Sequence, residues 1–215
     1  RDVNLIEVPD CRFTMNDYGS DGIYITPRRV GEDGWELSIK ALIDNADCSH
    51  KARFTLIDAD GNEKASTIAD LRPIISAKLP VEDPVLWNGR KNPYLYTVRC
   101  EIFDSTTQEV TDNIDIRTGL REYHIDSHKG FFLNGEHIKL QGVSRHQDRE
   151  NMGNAITEKQ HAEDVKIILD VGANSVRLAH YQQNSYFYDL CDESGLLVWA
   201  EVPVISRFSP KRNEN

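Results

Sequence analysis

The chain has 215 residues and a formal net charge of −10, with 39% apolar and 28% charged side chains. That balance excludes a disordered segment, and the acidic excess argues against a nucleic-acid binder, which would show a basic face. No apolar run approaches the ~20 residues that span a bilayer, and the first ten residues lack the basic start and long apolar stretch of a signal peptide. There is no initiating Met, so the expectation is a processed or excised piece. Length allows one domain or two. The four cysteines, Cys11, Cys48, Cys100 and Cys191, form no C-x-x-C pair. They read as buried thiols used as small hydrophobes; a Cys48–Cys100 bridge is conceivable but nothing indicates it, and the compartment stays unassigned.

Residues 1–120 read as β. Apolar and polar residues alternate at period two through 21–30, 35–44 and 52–58, and Asp60-Gly61 marks a hairpin. Further alternating stretches follow at 74–81, 94–103 and 110–119. About seven short strands with regular turn signals predict a β-sandwich.

The period changes after residue 130. A short strand is expected over His137–Gly142. Thr157, followed three residues later by Gln160, is the capping-box pattern that opens a helix; Val165, Ile168 and Leu169 share one face, and Gly172 stops it. A strand over Asn174–Leu178 comes next. A second helix over Tyr186–Glu193 buries Phe187, Leu190 and Cys191 and ends at Gly195. Leu196–Trp199 is wholly apolar, which predicts a strand buried on both sides. The order β-α-β-α-β implies parallel strands with right-handed crossovers. The last seven residues are polar and expected to fray.

Four motifs in this order resemble glycoside hydrolase family 2. G-F-F-L-N-G-E-H-I-K-L-Q-G-V-S-R-H-Q-D (130–148) is similar to the family's first barrel strand, and G-A-N-S-V-R-L-A-H-Y (172–181) to its second. L-C-D-E-S-G-L-L-V-W-A-E-V-P (190–203) resembles its second helix and third strand, and L-W-N-G-R-K-N-P-Y-L-Y (86–96) the late part of the preceding immunoglobulin-like domain. Even residues 1–5 look like the exit of the family's N-terminal jelly roll. The resemblance implies an immunoglobulin-like β-sandwich over 1–120, followed over 121–215 by the first three strands and two helices of an incomplete (β/α)₈ barrel. Length agrees: Phe131–Asn215 holds 85 residues, against about 250 for a whole barrel.

The resemblance further implies part of a retaining exo-β-glycosidase, β-galactosidase-like, acting on terminal β-linked sugars. Where large β-galactosidases of the family carry acid-x-His-Gly after the third strand, this chain has Ile205-Ser206-Arg207-Phe208, so β-glucuronidase is the alternative. In the family both catalytic glutamates lie beyond the third strand, so this segment is expected to be inactive alone. Asn62-Glu63 sits in the hairpin, and Asn213-Glu214 follows Glu201 too closely for a crossover helix, so neither supplies the acid/base. What remains is one side of a sugar pocket at the C-terminal ends of the strands. Its substrate-binding candidates are Arg145 and His146 after strand one, Arg177 and His180 after strand two, and Glu201 at the end of strand three. His180 matches the family histidine facing the sugar; Arg177 matches the arginine beside the nucleophile; Arg145 and His146 match the first-strand motif. For Arg145 and His146 a loop salt-bridged through Asp148 and Glu150 is the alternative. Asp189, Asp192 and Glu193 read as a solvated helix face. No cofactor and no metal cluster is expected here; metal ligands of some family β-galactosidases would lie in the full-length parent. The expected partners are a carbohydrate substrate in the parent and, for the segment alone, another copy of itself across the open barrel edge near Leu197 and Trp199. The rival reading is a non-catalytic sandwich that binds carbohydrate or protein. An open reading frame continuing past Asn215 would exclude it.

Overall fold

The computed structural model describes residues 5–31 and 34–204. The predictions made for residues 1–4 and 205–215, including the family departure at 205–208, the Asn213-Glu214 pair and terminal fraying, lie outside the described residues.

The first half is a sandwich of two antiparallel sheets. In one, the long central strand β3 (Gly34–Asp44) pairs with β2 (Ile23–Val30), with β6 (Ile74–Val81) and, at its end, with the two-residue β1 (Arg12–Phe13). The other runs β5 (Glu63–Asp70), β4 (His50–Ile57), β7 (Tyr96–Asp104) and β8 (Val110–Thr118). The period-two pattern does what the sequence predicts. Trp35, Leu37, Ile39, Ala41 and Ile43 of β3 face inward, opposite Tyr96, Val98, Cys100 and Ile102 of β7 and Ala52, Phe54 and Leu56 of β4. Each large apolar side chain buried this way stabilises the fold by about 1.5–3 kcal/mol. Gly61 adopts a positive φ of 86° in the β4–β5 hairpin, and Asp58 Oδ1 accepts the backbone N–H groups of Asp60 and Asn62 at 3.0 and 2.8 Å. Three of the four cysteines are buried as expected, but Cys48 is exposed, and all four are free thiols. Burial pushes the Cys100 and Cys191 thiols up to about 12, which keeps them protonated and unreactive.

A three-stranded antiparallel sheet joins the two halves: β9 (Tyr123–Asp126), β10 (Gly130–Leu133) and β11 (Glu136–Ile138). The strand expected over His137–Gly142 is therefore divided. Its start pairs back on β10, with Phe131 opposite Ile138. The first barrel strand, β12, comes later, at Gly142–Arg145. Then follow α1 (Glu158–Asp170), β13 (Ser175–Leu178), α2 (Ser185–Ser194) and β14 (Leu197–Ala200). The order β12-β13-β14 is parallel throughout. The Thr157 capping box forms: Gln160 Oε1 accepts the Thr157 N–H at 2.9 Å. Asn184 caps α2 by accepting the Tyr186 N–H at 2.9 Å. Val165 and Ile168 of α1 and Phe187 and Cys191 of α2 pack on Val176 and Leu178 of β13. β14 is not buried on both sides as predicted; Trp199 is 62% exposed, because no further element covers that face among the described residues.

The two halves dock through backbone as well as side chains. Trp87, 1% exposed, donates Nε1–H to Asp192 O at 2.8 Å, and Arg90 donates to Ala173 O at 2.7 Å. Asp189, Asp192 and Glu193 remain about half exposed and are also ion-paired across the two halves: Arg117 bridges Asp189 and Glu193, and Arg121 lies 3.6 Å from Asp192. Gly195 ends α2 with φ 73°, and a Cβ there would stand 2.3 Å from Gly89 O. Gly195→Ala therefore combines left-handed backbone strain with a backbone overlap. It should destabilise the chain by at least about 2 kcal/mol, read as a lower denaturant midpoint.

Candidate active site

Strand parity decides which side chains meet. Register aligns Ser144 of β12, Arg177 of β13 and Trp199 of β14, and all three face away from the helices. Arg145 and Leu178 are one residue further and point to the opposite, helix-covered face.

On the open face, Arg177 grips Glu201 with two hydrogen bonds. Nε donates to Oε1 at 2.7 Å and Nη2 to Oε2 at 3.2 Å, the fork that a guanidinium makes with a carboxylate. Nη1 reaches Ser144 Oγ at 3.4 Å. His180 Nδ1 sits 3.1 Å from both Arg177 Nη2 and Glu201 Oε2. A neutral Nδ1 accepts from the arginine; a protonated one donates to the carboxylate. Arg177, followed by His180, holds the Glu201 carboxyl below the usual carboxylate range, so it is ionised at neutral pH. His146, just past β12, packs edge-on against His180 with ring centroids 5.2 Å apart. Gln182, held by the Tyr188 hydroxyl at 2.8 Å, donates to Glu201 O at 3.0 Å. The cluster remains open to solvent, with about two-fifths of the Arg177 and His180 side chains exposed. Four predicted residues, His146, Arg177, His180 and Glu201, therefore gather at the C-terminal strand ends.

Arg145 does not join them. It is 6% exposed and lies among the helices. Nε and Nη2 donate to Asp164 Oδ2 at 2.9 and 2.7 Å, Nη1 donates to Gln183 Oε1, and Nη2 lies 3.0 Å from His161 Nδ1. Its guanidinium also stacks over Phe187 at 3.9 Å. Its reading as a pocket-wall residue is corrected by this parity. The alternative partners Asp148 and Glu150 are replaced by Asp164, which Arg149 also bridges at 2.8 Å. Gln183 Nε2 returns a bond to Arg145 O at 3.0 Å, and Gln147 Oε1 accepts the Asn184 N–H at 2.7 Å. This buried network fixes the chain on either side of His146 and His180.

Two models of one family match the chain: "Glycosyl hydrolases family 2" over residues 21–121, and "Glycosyl hydrolases family 2, TIM barrel domain" over 125–214. The chain belongs to glycosyl hydrolase family 2. A β-glucuronidase of Bacteroides fragilis is 37% identical to this family 2 chain over 212 residues, covering 95% of it and 30% of the relative. A β-galactosidase of Thermoanaerobacter pseudethanolicus is 30% identical over 194 residues, covering 88% of this chain and 26% of the relative. The crystal structure of an FMN-binding β-glucuronidase from Facaelibacterium prausnitzii L2-6 superposes with a TM-score of 0.86 at 39% identity, over 91% of this chain and 30% of that one. The chain thus spans about a third or less of the length of these relatives.

The sequence reading missed Ser144 and Gln182 as members of the cluster and the whole Asp164–His161–Gln183 network. Ser144 could have been found from the motif it stands in, since it shares the parity of His146. The Arg145 partners come from two helices, and no spacing rule links them. Apart from this site, Cys11, Asp47 and His50 bring one possible ligand atom each within 4.8 Å of one another, a grouping the sequence reading did not foresee.

Proposed function

We propose that this chain supplies one wall of the sugar site in a retaining exo-β-glycosidase acting on terminal β-glucuronides or β-galactosides. The observation that carries the reading is the Arg177–Glu201–His180 cluster, set at the C-terminal ends of parallel strands in a family 2 chain. Enzymes built on such barrels work at that end. His180 offers an imidazole to sugar hydroxyls, as donor or acceptor, beside an arginine that can orient an anionic group. Relatives of both names resemble the chain, and the β-glucuronidases include those at 37% and 39% identity, which favours the glucuronide.

Retention requires two carboxyl groups about 5–5.5 Å apart. The hydrogen-bonded cluster holds one, Glu201, already committed to Arg177. Glu201 is not one of that pair on this reading; both of its members, and the rest of the barrel, are expected in the protein expressed from its whole gene. The test compares that protein with the 215-residue chain on nitrophenyl β-glucuronide, β-galactoside and β-mannoside. The expected result is turnover by the whole protein, glucuronide first, and none by the chain alone. Failure of the whole protein on every β-glycoside would overturn the reading. Turnover by the chain alone would overturn the location given for the chemistry. The exposed Trp199 and Val202 belong to surface that the rest of a barrel would cover, so the isolated chain should self-associate. Light scattering should show mass above a monomer, reduced by Trp199→Ser.

A further inference from the structure

The cluster of Cys11, Asp47 and His50 lies at one end of the sandwich, away from the strand-end site. Cys11 immediately precedes β1, whose pairing with the end of β3 (Phe13 opposite Ile43) brings it to the β3–β4 loop. Asp47 stands in that loop and His50 opens β4. The three come from two segments far apart in sequence, and one donor atom from each falls within 4.8 Å of the others. Cys11 is 8% exposed and directs its sulfur at a pair that is open to solvent on the Asp47 side.

The loop presents Asp47 in a fixed orientation. Oδ1 accepts the Ser49 N–H at 2.8 Å, the Ser49 hydroxyl at 2.7 Å and the His50 N–H at 3.1 Å. Oδ2 keeps a contact to His50 Nδ1 at 3.0 Å. Oδ1, held by the loop, also lies 2.9 Å from His50 Nδ1, and Oδ2 keeps the imidazole contact alone among the described hydrogen bonds. Nearby, Asp112 accepts the Phe13 N–H at 2.9 Å, adding a second carboxylate to the surroundings of Cys11.

We propose that Cys11, Asp47 and His50 form a binding site for a single divalent cation of the zinc class. Sulfur, imidazole nitrogen and carboxylate oxygen are the donors that zinc takes, at about 2.3, 2.0 and 2.0 Å. Ligands at those lengths around a tetrahedral ion stand roughly 3.3–3.5 Å apart, under the 4.8 Å within which the three donor atoms lie here. The cation displaces the contact between His50 Nδ1 and the Asp47 carboxylate, the ring N–H moving to Nε2, and Cys11 releases its thiol proton to solvent. Three protein ligands leave a fourth position for water. The hard, all-oxygen ions calcium and magnesium do not suit a thiolate donor.

Titrating the reduced 215-residue chain with Co²⁺ tests this, because a thiolate bound to cobalt gives a near-ultraviolet charge-transfer band. The expected result is one equivalent of Co²⁺ with that band, displaced by Zn²⁺. Cys11→Ser should abolish the band, Asp47→Asn and His50→Gln should weaken binding about 100-fold, and Cys48→Ser should leave both unchanged. Circular dichroism checks that each variant is folded. Should Cys11→Ser not fold, the two more exposed ligands carry the test. A wild-type chain without the band at saturating Co²⁺ overturns the proposal. So does a band that survives the Asp47 and His50 substitutions, or one lost only with Cys48.

Discussion

Arg177→Ala should lower kcat/KM on aryl β-glycosides by about 100-fold in the protein expressed from its whole gene. The guanidinium makes both hydrogen bonds to Glu201 and touches His180, so its removal frees the carboxylate and the imidazole together. About two-fifths of the side chain is solvent-exposed, so the cost falls on positioning and not on the fold; thermal melting should be nearly unchanged. Arg177→Lys should recover only part of the loss, because an ammonium cannot make the two-pronged contact. Glu201→Gln weakens the same fork from the other side and should resemble Arg177→Lys more than Arg177→Ala. Loss of kcat with little change in KM is the expected pattern if the group orients the reacting partners. Full activity in Arg177→Ala would remove the cluster from the chemistry.

Arg145→Met should destabilise the α1–β12–α2 unit by about 3 kcal/mol. Methionine keeps most of the apolar contact with Phe187 but leaves the Asp164 and Gln183 acceptors short of their buried donor. The retained Arg149–Asp164 bridge at 2.8 Å limits the loss. Hydrogen exchange of the α1 and α2 amides reads the effect separately from the sandwich. The deficit should also depend on pH. Burial, then the Arg145 charge, lowers the pKa of His161, which is 1% exposed. Its folded value lies below the unfolded value of about 6.5, so the unfolded chain binds the proton first. Its contribution to stability is full above about pH 6.5 and is lost as pH falls toward the folded value. Without Arg145, a protonated His161 can pair with Asp164. The Met variant should therefore lose less, relative to wild type, at about pH 5.5 than at about pH 8.

The features read correctly from sequence are local ones. The Thr157–Gln160 capping box, the stop at Gly172 and the left-handed Gly195 each depend on a few neighbouring residues, and the structure has them where the pattern puts them. The period-two runs of the sandwich carry their own burial pattern. The displaced first barrel strand had a local signal that went unused. Asn134-Gly135 is the dipeptide of a tight hairpin, both residues have positive φ, and the turn sends Glu136–Ile138 back along β10.

Other features required partners from distant parts of the chain. The sequence by itself determined that this is a β-sandwich followed by parallel β/α units, because alternation and capping are short-range properties of the covalent chain. Only the tertiary structure decided that Arg177 faces the open site while Arg145 turns into the helices, since a strand alternates its faces and the register with β13 assigns each residue to one of them. The same holds for Cys11 and His50. Nothing in their spacing joins them, and it is the pairing of β1 with the end of β3 that brings the sulfur to the loop.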